Sequence, residues 1–213
     1  MKTERRMTPA GEVRIEERAG GGKMVTGYAA VFHRDGDAGT EYRLGTDIVE
    51  RIAPTAFNRA IQEKHDARAL FNHDPNMLLG RAAAGTLRLS VDQRGLKYEI
   101  DVPDTQIGRD VATSIARGDL AGSSFSFRIN GKQGQRFDKA KDHDVRTILD
   151  VDLFDVGPVT YPAYEGTTTG MRSGDCEDAF EARNQWRNEV QVEADKIEMA
   201  YQSILVDRGR QIA

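Results

Sequence analysis

The chain has 213 residues, of which 38% are hydrophobic, and 30 basic against 34 acidic side chains give a formal net charge of −4. This length supports one sizeable core, and the lack of a strongly basic run argues against a nucleic-acid binder. No apolar run approaches the roughly 18 residues of a membrane span, so we expect no membrane partner. The single cysteine, Cys176, excludes an internal disulfide and fits a reducing compartment such as the cytoplasm.

The first part of the chain is predicted to contain an arm, a strand, a short helix and a second strand. Residues 1–22 are charged and end in three glycines, which predicts a flexible N-terminal arm. Strand-like patterning begins at Val25, and the segment 34–46 is rich in glycine and aspartate, which is typical of a loop. Pro54 suits the first turn of a short helix, and residues 66–71 follow as an apolar strand.

A hairpin and a helix are the clearest elements of the middle of the chain. Residues 87–91 and 96–102 alternate apolar and polar side chains around a turn, which predicts a hairpin with one buried face. Asp104 is the expected N-cap of a helix that ends at Gly118. Residues 131–145 are polar and are predicted to form a long exposed loop.

From about Asp175 onward the hydrophobic period becomes helical. The predicted apolar face contains Val190, Ala194, Ile197, Tyr201 and Ile204. The sequence therefore predicts three parts, which are an arm over 1–22, a strand-rich body over 23–170 and an amphipathic helical tail over 171–213.

The segment 120–128 (LAGSSFSFR) is an apolar, aromatic strand that carries three hydroxyls. A buried hydroxyl without a partner costs about 1–3 kcal/mol, so these serines need hydrogen-bond partners. An imidazole is one such partner, and it makes serine a nucleophile. Side chains alternate along a strand, so Ser124 and Ser126 share one face while Ser123 takes the other. Periodicity alone does not choose between Ser124 and Ser126.

Candidate partners for such a serine occur in two other predicted strands. His73 follows the strand over 66–71. Asp155 follows Phe154 in a closing strand predicted over 148–161, and it breaks the alternation of apolar and polar residues there. A buried carboxylate needs a donor, and the N–H of an imidazole supplies one. A serine, a histidine and a carboxylate in these roles form a catalytic triad.

A metal site is the weaker interpretation of the histidines. His65, His73 and Asp74 are three possible ligands, but their spacing does not converge. Neither a CxxC pair nor an HExxH helix occurs in the chain. We therefore expect no metal and no other cofactor.

Six segments, taken in chain order, resemble the prohead maturation proteases of tailed phages, a family that shares its fold and mechanism with herpesvirus assemblin. The segments are GYAAVF (27–32), APTAF (53–57), LFNHD (70–74), LLGR (78–81), DLAGSSFSFR (119–128) and LFDVGPVTYPAY (153–164). Each segment is weak alone, but their shared order over residues 25–166 makes the resemblance specific.

The resemblance implies a role for each candidate residue. His73 corresponds to the family's catalytic histidine, and Ser124 to its nucleophile, which stands two residues before a Gly-Phe pair. Ser126 replaces the glycine of that pair and is a competing hydroxyl nearby. Asp155 corresponds to an acidic residue that is usually glutamate. Aspartate is shorter, and assemblin uses a second histidine as the third member, so His143 remains the alternative to Asp155.

Residues as distant in sequence as His73, Ser124 and Asp155 meet only across a closed or strongly curved sheet. The resemblance and the strand pattern therefore predict a mainly β fold with surrounding helices (α+β). Its expected centre is a small closed antiparallel barrel of about six or seven strands. The turn over 157–161 is the candidate source of the oxyanion-hole donors.

The expected function is a serine endopeptidase that cleaves scaffold and capsid subunits, and also itself, during prohead assembly. Its expected partners are the major capsid protein, scaffold segments and a second copy of the chain. Its expected location is the assembling prohead in the cytoplasm of the host bacterium. Residues 167–170 are the candidate linker for self-cleavage. The alternative is a non-catalytic scaffolding protein that keeps the protease fold and docks through its tail.

Overall fold

Thirteen strands and three α-helices occur in the described residues of the computed structural model, which are 3–8, 13–18, 21–161 and 176–211. The strands are β1 (Glu4–Thr8), β2 (Val13–Glu17), β3 (Lys23–Val31), β4 (Glu41–Arg43), β5 (Ile48–Ile52), β6 (Arg68–Leu70), β7 (Leu78–Arg81), β8 (Leu87–Val91), β9 (Gly95–Asp101), β10 (Gly122–Ile129), β11 (Gln135–Lys139), β12 (Asp144–Ile148) and β13 (Val151–Val159). The helices are α1 (Asn58–Gln62), α2 (Gln106–Arg117) and α3 (Glu177–Gln211). The prediction of a mainly β fold with helices is confirmed.

The strands form three sheets instead of the single closed barrel that we predicted. A five-stranded sheet has the order β1-β10-β13-β6-β7, and two four-stranded sheets have the orders β11-β12-β5-β4 and β2-β3-β9-β8. Most neighbouring strands are antiparallel, but β12 pairs with β5, and β13 with β6, in parallel. Across the described ranges the two outer strands of each sheet do not pair with one another, so no sheet closes. The prediction failed because it undercounted the strands, and the additional strands divide the body into separate sheets.

The hairpin and the helix predicted in the middle of the chain are confirmed. β8 and β9 pair antiparallel around the turn at residues 92–94. α2 begins after Thr105, whose hydroxyl accepts a hydrogen bond from the amide of Gly108, so the N-cap is Thr105 and not the predicted Asp104. α2 ends at Gly118 with a φ of 84°, a left-handed conformation that glycine adopts without strain.

Two segments that we predicted to be loops contain strands. The segment 131–145 contains β11 and the start of β12, which pair antiparallel, and the segment 34–46 contains β4, which pairs with β5. β12 escaped detection because it buries charged residues, Asp144 and Arg146, beside its apolar ones. A pattern that equates polar with exposed does not identify such a strand.

The prediction of a flexible arm over residues 1–22 is wrong for the described part of this segment, because β1 and β2 lie there. β1 pairs with β10 along its whole length, and β2 pairs with β3. The inward side chains of β1 are Glu4, Arg6 and Thr8, and all three are buried. The charged composition therefore concealed a strand whose inward face is polar.

Glu4 and Arg6 join a buried network with Glu50 of β5 and Arg146 of β12. Arg6 Nε and Nη2 donate to Glu50 at 2.5 and 2.8 Å, and Nη2 also donates to Glu4 at 2.6 Å. Arg146 Nη1 donates to Glu4 and to Glu50 at 2.7 Å each. Two carboxylates and two guanidinium groups balance their charges, which a buried ion pair requires to offset its desolvation. The network joins the five-stranded sheet to the sheet that contains β5 and β12.

A row of aromatic rings links β10 to the segments after β3 and before α1. The ring of Phe57 lies between those of Phe32 and Phe125, with centroid distances of 6.2 and 5.5 Å. Phe125 and Phe127 follow at 5.0 Å. These four rings are almost completely buried. They anchor β10 in the hydrophobic core.

The chain divides into two compact units, 1–176 and 177–213, and the second contains α3, a helix of 35 residues. Val190 and Ile197 of the predicted apolar face are more than half exposed. Val192 and Met199 are also more than half exposed, and helical geometry places them on the opposite side of α3. Apolar side chains are therefore not confined to the single face that we predicted.

Other predictions about the tail concern residues outside the described ranges. The boundary near residue 170 and the linker over 167–170 lie outside the described residues, and so do the side chains of Tyr201 and Ile204. None of the helices in the described ranges combines the length and the apolar composition that crossing a membrane requires.

Glu50→Gln removes one of the two negative charges of the buried network while it keeps the shape of the side chain. The two arginines then share Glu4 alone, and an uncompensated buried charge typically costs about 3–5 kcal/mol. We expect the free energy of unfolding, measured by urea denaturation, to fall by about that amount. Glu16→Gln is the control, because the Glu16–Arg14 pair is exposed and such pairs contribute under about 1 kcal/mol. Equal effects of the two changes would contradict the stabilising role of the network.

Stability should also depend on pH through Glu4. Burial alone would raise the pKa of Glu4, but the hydrogen bond from Arg146 and the charges of both arginines outweigh it and lower the pKa below the ordinary 4.5. A lowered pKa contributes stability that is fully present above 4.5 and is lost as the pH falls through the folded-state value. As the pH is lowered from about 5 to about 3, the free energy of unfolding in urea should therefore fall less steeply in Glu4→Gln than in the wild type.

Candidate functional site

The serine-rich strand is β10, and its two faces have different environments. On one face the hydroxyl of Ser123 lies 2.8 Å from that of Tyr98, and Phe125 packs into the row of aromatic rings. Ser124 and Ser126 occupy the other face, and all three serines are buried. The core face fixes the position of β10, and thereby the position of the two serines opposite.

A β-bulge in β13 brings Asp155 onto the face of these two serines. Ser126 lies opposite Asp155, whereas the next residue of β10, Phe127, lies opposite Leu153, so Phe154 is the extra residue. A bulge redirects the side chains that flank it. Asp155 is 9% exposed, and Leu153 stays in the core. The bulge is the physical basis of the broken alternation in the sequence.

His73 lies in a strained turn that follows β6. Asn72 and His73 have φ values of 55° and 58°, in the left-handed region, which costs about 1–2 kcal/mol for most residues other than glycine. The side chain of Asn72 accepts a hydrogen bond from the amide of Thr160 at 2.8 Å and donates one to the Thr160 hydroxyl at 2.9 Å. The Asn72 amide donates to the carbonyl of Pro158 at 3.1 Å. The turn is therefore attached to the end of β13, the strand that carries Asp155.

Gly157 allows β13 to approach the chain that leads to His73. A Cβ atom at this position would lie 2.1 Å from the carbonyl oxygen of Leu70, a distance that no side chain tolerates. Gly157 also lies opposite Ser124 in the pairing of β10 with β13. Any side chain here would separate the turn from the serine.

The three side chains selected from the sequence form one chain of hydrogen bonds. Ser124 Oγ lies 2.6 Å from His73 Nε2, and His73 Nδ1 lies 2.5 Å from Asp155 Oδ1. Because a carboxylate only accepts, Nδ1 carries the proton, and Nε2 accepts from the Ser124 hydroxyl. The side chains of His73 and Asp155 are 9% and 12% exposed. In such an arrangement serine acts as a nucleophile and imidazole as its base.

Two further hydrogen bonds surround this chain. Ser124 Oγ also lies 2.9 Å from the carbonyl oxygen of Arg6 in β1, which is an alternative acceptor for its single proton. Ser126 Oγ donates to Asp155 Oδ2. The two serines that periodicity left equivalent therefore have different partners, which are the imidazole for Ser124 and the carboxylate for Ser126.

The remaining candidates lie outside this chain of hydrogen bonds. His143 precedes β12, in a different sheet from β6, β10 and β13, and Asp155 takes the third position instead. His65 Nε2 contacts Glu63 and Arg59. Within the described ranges, no group of three or more histidine, cysteine, aspartate or glutamate side chains is placed to hold a metal ion.

The turn over 157–161 offers few free amides for an oxyanion hole. The amide of Thr160 already donates to Asn72, and Pro158 has no amide hydrogen. The assignment of the oxyanion donors to this turn stays a prediction.

Sequence reasoning missed three contributors to the site, which are Asn72, Gly157 and the Arg6 carbonyl. Asn72 offered a signal, because asparagine tolerates the left-handed region better than most residues. Gly157 offered another, because glycine within a strand often marks close backbone approach. Arg6 offered none, because it acts through its backbone.

A family comparison covers most of this chain. Residues 10–180 match the model of the caudovirus prohead serine proteases. The chain belongs to that family. The resemblance inferred from the six sequence segments is thereby confirmed.

Other comparisons add little to the family assignment of this prohead protease. No curated protein matches it. Among solved structures, the bacteriophage T4 capsid assembly protease, gp21, is similar with 11% sequence identity and a TM-score of 0.46, over 76% of this chain and 97% of that chain.

Asn72→Ala should destabilise the prohead protease. It removes two side-chain hydrogen bonds, worth about 1 kcal/mol each, and places alanine in the left-handed region. We expect the free energy of unfolding in urea to fall by about 2–3 kcal/mol. Asn72→Gly should be less destabilised, because glycine adopts this φ freely. Asn76→Ala, which removes one exposed side-chain hydrogen bond to Asp74 in the same turn, is the control, and an equally small effect at Asn72 would contradict the attachment.

Proposed function

We propose that this prohead protease is an active serine endopeptidase with Ser124 as nucleophile, His73 as general base and Asp155 as the group that orients His73. The supporting observation is the 2.6 Å contact from Ser124 Oγ to His73 Nε2, continued by the 2.5 Å contact from Nδ1 to Asp155. The three residues come from β10, the turn after β6, and β13. These strands are neighbours in one sheet, so the side chains share a rigid frame.

The proposed reaction has two halves. In the first, Ser124 Oγ bonds to the carbonyl carbon of the scissile peptide while its proton moves to His73 Nε2. The C–N bond then breaks, and His73 returns the proton to the leaving amine. In the second half His73 takes a proton from a water molecule whose oxygen bonds to the acyl carbon, the ester C–Oγ bond breaks, and His73 returns the proton to Ser124 Oγ. Asp155 stabilises the imidazolium in both halves, and each oxyanion donor contributes about 3–4 kcal/mol.

Entry of a substrate requires a local rearrangement. Ser124 has no exposed surface, and its hydroxyl also contacts the Arg6 carbonyl of β1. A peptide carbonyl must therefore displace neighbouring groups before it reaches Oγ. The closed site protects the nucleophile from water in the absence of substrate.

The proposed substrates are scaffold and capsid subunits, and the family's name supports this choice. We place the reaction inside the assembling prohead, in the cytoplasm of the host bacterium. A second copy of the chain is the proposed partner in a homodimer. Self-cleavage near residues 167–170 would separate the protease body from its tail.

Ser124→Ala and His73→Ala should each reduce peptide cleavage by at least about 10⁴-fold. Asp155→Asn should reduce it by about 10³–10⁴-fold, because the imidazole loses its fixed tautomer. A serine-directed fluorophosphonate should label the wild type and not Ser124→Ala. Ser123→Ala is the matched control, because it makes the same change at a buried serine whose hydroxyl lies against Tyr98. Cleavage that persists in Ser124→Ala would refute the proposed nucleophile.

Co-expression of the chain with the capsid subunit of the same phage should reveal the substrates. Mass spectrometry of the products should show a shortened capsid or scaffold chain with the wild type and intact chains with Ser124→Ala. Storage of the purified wild type should also yield a shortened protease. A full-length protease after storage would refute self-cleavage, although the capsid result would stand.

A non-catalytic scaffolding protein is the second candidate function. The exposed apolar side chains of α3, including Val190 and Ile197, favour a docking role for the tail. Failure of the fluorophosphonate to label the folded wild type would support this candidate over the endopeptidase.

A further inference from the structure

The Asp155 carboxylate has two oxygens, and each contacts a different side chain. Oδ1 lies 2.5 Å from His73 Nδ1, and Oδ2 accepts a hydrogen bond from Ser126 Oγ. We propose that Ser126 is a positioning residue, which holds the Asp155 carboxylate in the orientation that His73 requires. This inference rests on the proposed function of the same site.

Strand pairing determines the place of the Ser126 hydroxyl. Ser126 lies opposite Asp155 of β13 on one side and opposite Arg5 of β1 on the other, so its backbone is paired in both directions. Its neighbours, Phe125 and Phe127, are anchored in the row of aromatic rings. The hydroxyl is therefore held by the sheet, and only rotation about the Cα–Cβ bond can redirect it.

The carboxylate benefits from a second contact because its terminal torsion is soft. The last torsion of aspartate has a broad minimum, so one hydrogen bond to His73 leaves the carboxylate free to rotate. A hydrogen bond to the other oxygen restricts that rotation. Ser126 is 2% exposed and Asp155 9%, so little water can replace the hydroxyl. Hydrogen bonds to an ionised carboxylate are also stronger than those between neutral groups.

The same contact explains why Ser126 is not a second nucleophile. Its hydroxyl proton is directed to Asp155 Oδ2, whereas the hydroxyl of Ser124 donates to His73 Nε2. A nucleophile needs a base that accepts its proton, and the imidazole nitrogen is already paired with Ser124. The two serines thus perform separate tasks, Ser124 at the imidazole of His73 and Ser126 at the carboxylate of Asp155.

The rate of fluorophosphonate labelling at Ser124 tests this role. Ser126→Ala should lower the maximal rate of labelling by about 10- to 100-fold, because the carboxylate and then the imidazole lose their alignment. The concentration for half-maximal labelling should not change, because the Ser126 hydroxyl is engaged with Asp155. Ser123→Ala makes the same change at the adjacent buried serine and should label at nearly the wild-type rate. Equal rates for the two variants would overturn the proposal.

A double-mutant cycle separates positioning from a general effect on the fold. If Ser126 acts through Asp155, then Ser126→Ala should cause no further loss in an Asp155→Ala background. A structural effect would lower the rate by the same factor in both backgrounds. An equal loss in the two backgrounds would overturn the proposal.

A nuclear magnetic resonance experiment keeps this inference testable if the proposed function fails. Absence of labelling in the wild type would refute the endopeptidase, but the proton on His73 Nδ1, which we expect to be deshielded by its 2.5 Å contact with Asp155, would still report that contact. Faster exchange of that proton with water in Ser126→Ala than in Ser123→Ala supports the positioning role. Equal exchange in these two variants overturns it.

Discussion

The candidate site depends on the antiparallel pairing of β10 with β13. This pairing places Ser124 opposite Gly157 and Ser126 opposite Asp155. The backbone therefore brings the two hydroxyls close to the carboxylate, whichever rotamers the side chains adopt. The bulge beside Phe154 turns the carboxylate towards the serines, and the missing Cβ of Gly157 admits the chain that carries the histidine. Backbone geometry therefore assembles the three groups, and the side-chain hydrogen bonds refine it.

A buried ion network supports this pairing from the outer side of β10. Arg6 and Glu4 bind the outermost strand, β1, to Glu50 and Arg146 of another sheet. Replacing a buried ion network by well-packed apolar side chains often leaves the stability of a protein unchanged. We therefore infer that the main effect of this network is to fix the position of β1. That place matters because the carbonyl of Arg6 contacts the hydroxyl of Ser124. The ion network, which is remote from His73, thus affects the surroundings of Ser124 because it positions β1.

Sequence patterns predicted the elements whose buried face is apolar. They failed to predict the strands whose buried face carries charged side chains. The hairpin of β8 and β9 and the helix α2 follow simple periodicity, and both were predicted. β1 and β12 place arginine and an acidic residue inside, so local composition could not reveal them, and β1 pairs with the distant β10 while β12 pairs with the distant β5 as well as with β11. Closure of the sheets likewise depends on which edges pair, which no local pattern encodes.

For the site, residue types and family-like segments selected Ser124, His73 and Asp155, and the structure brings these three side chains together. Periodicity alone could not separate Ser124 from Ser126, because both share one face of a strand, and it was the family-like segment that selected Ser124. Only the register with β13 assigns each hydroxyl a partner. The attachment of Asn72 to Thr160 was also out of reach, because it joins backbone segments 88 positions apart.

The place of β1 at the outside of the five-stranded sheet has a consequence for the integrity of the molecule. While β1 is present, it pairs with one side of β10 from Ser123 to Phe127. If a nick in the chain released it, the amide and carbonyl groups beside Ser124 would form a bare edge, which is a template for any extended polypeptide. A nicked molecule would therefore tend to capture strands from other chains and to aggregate, and it would do so through the same surface that surrounds the proposed nucleophile.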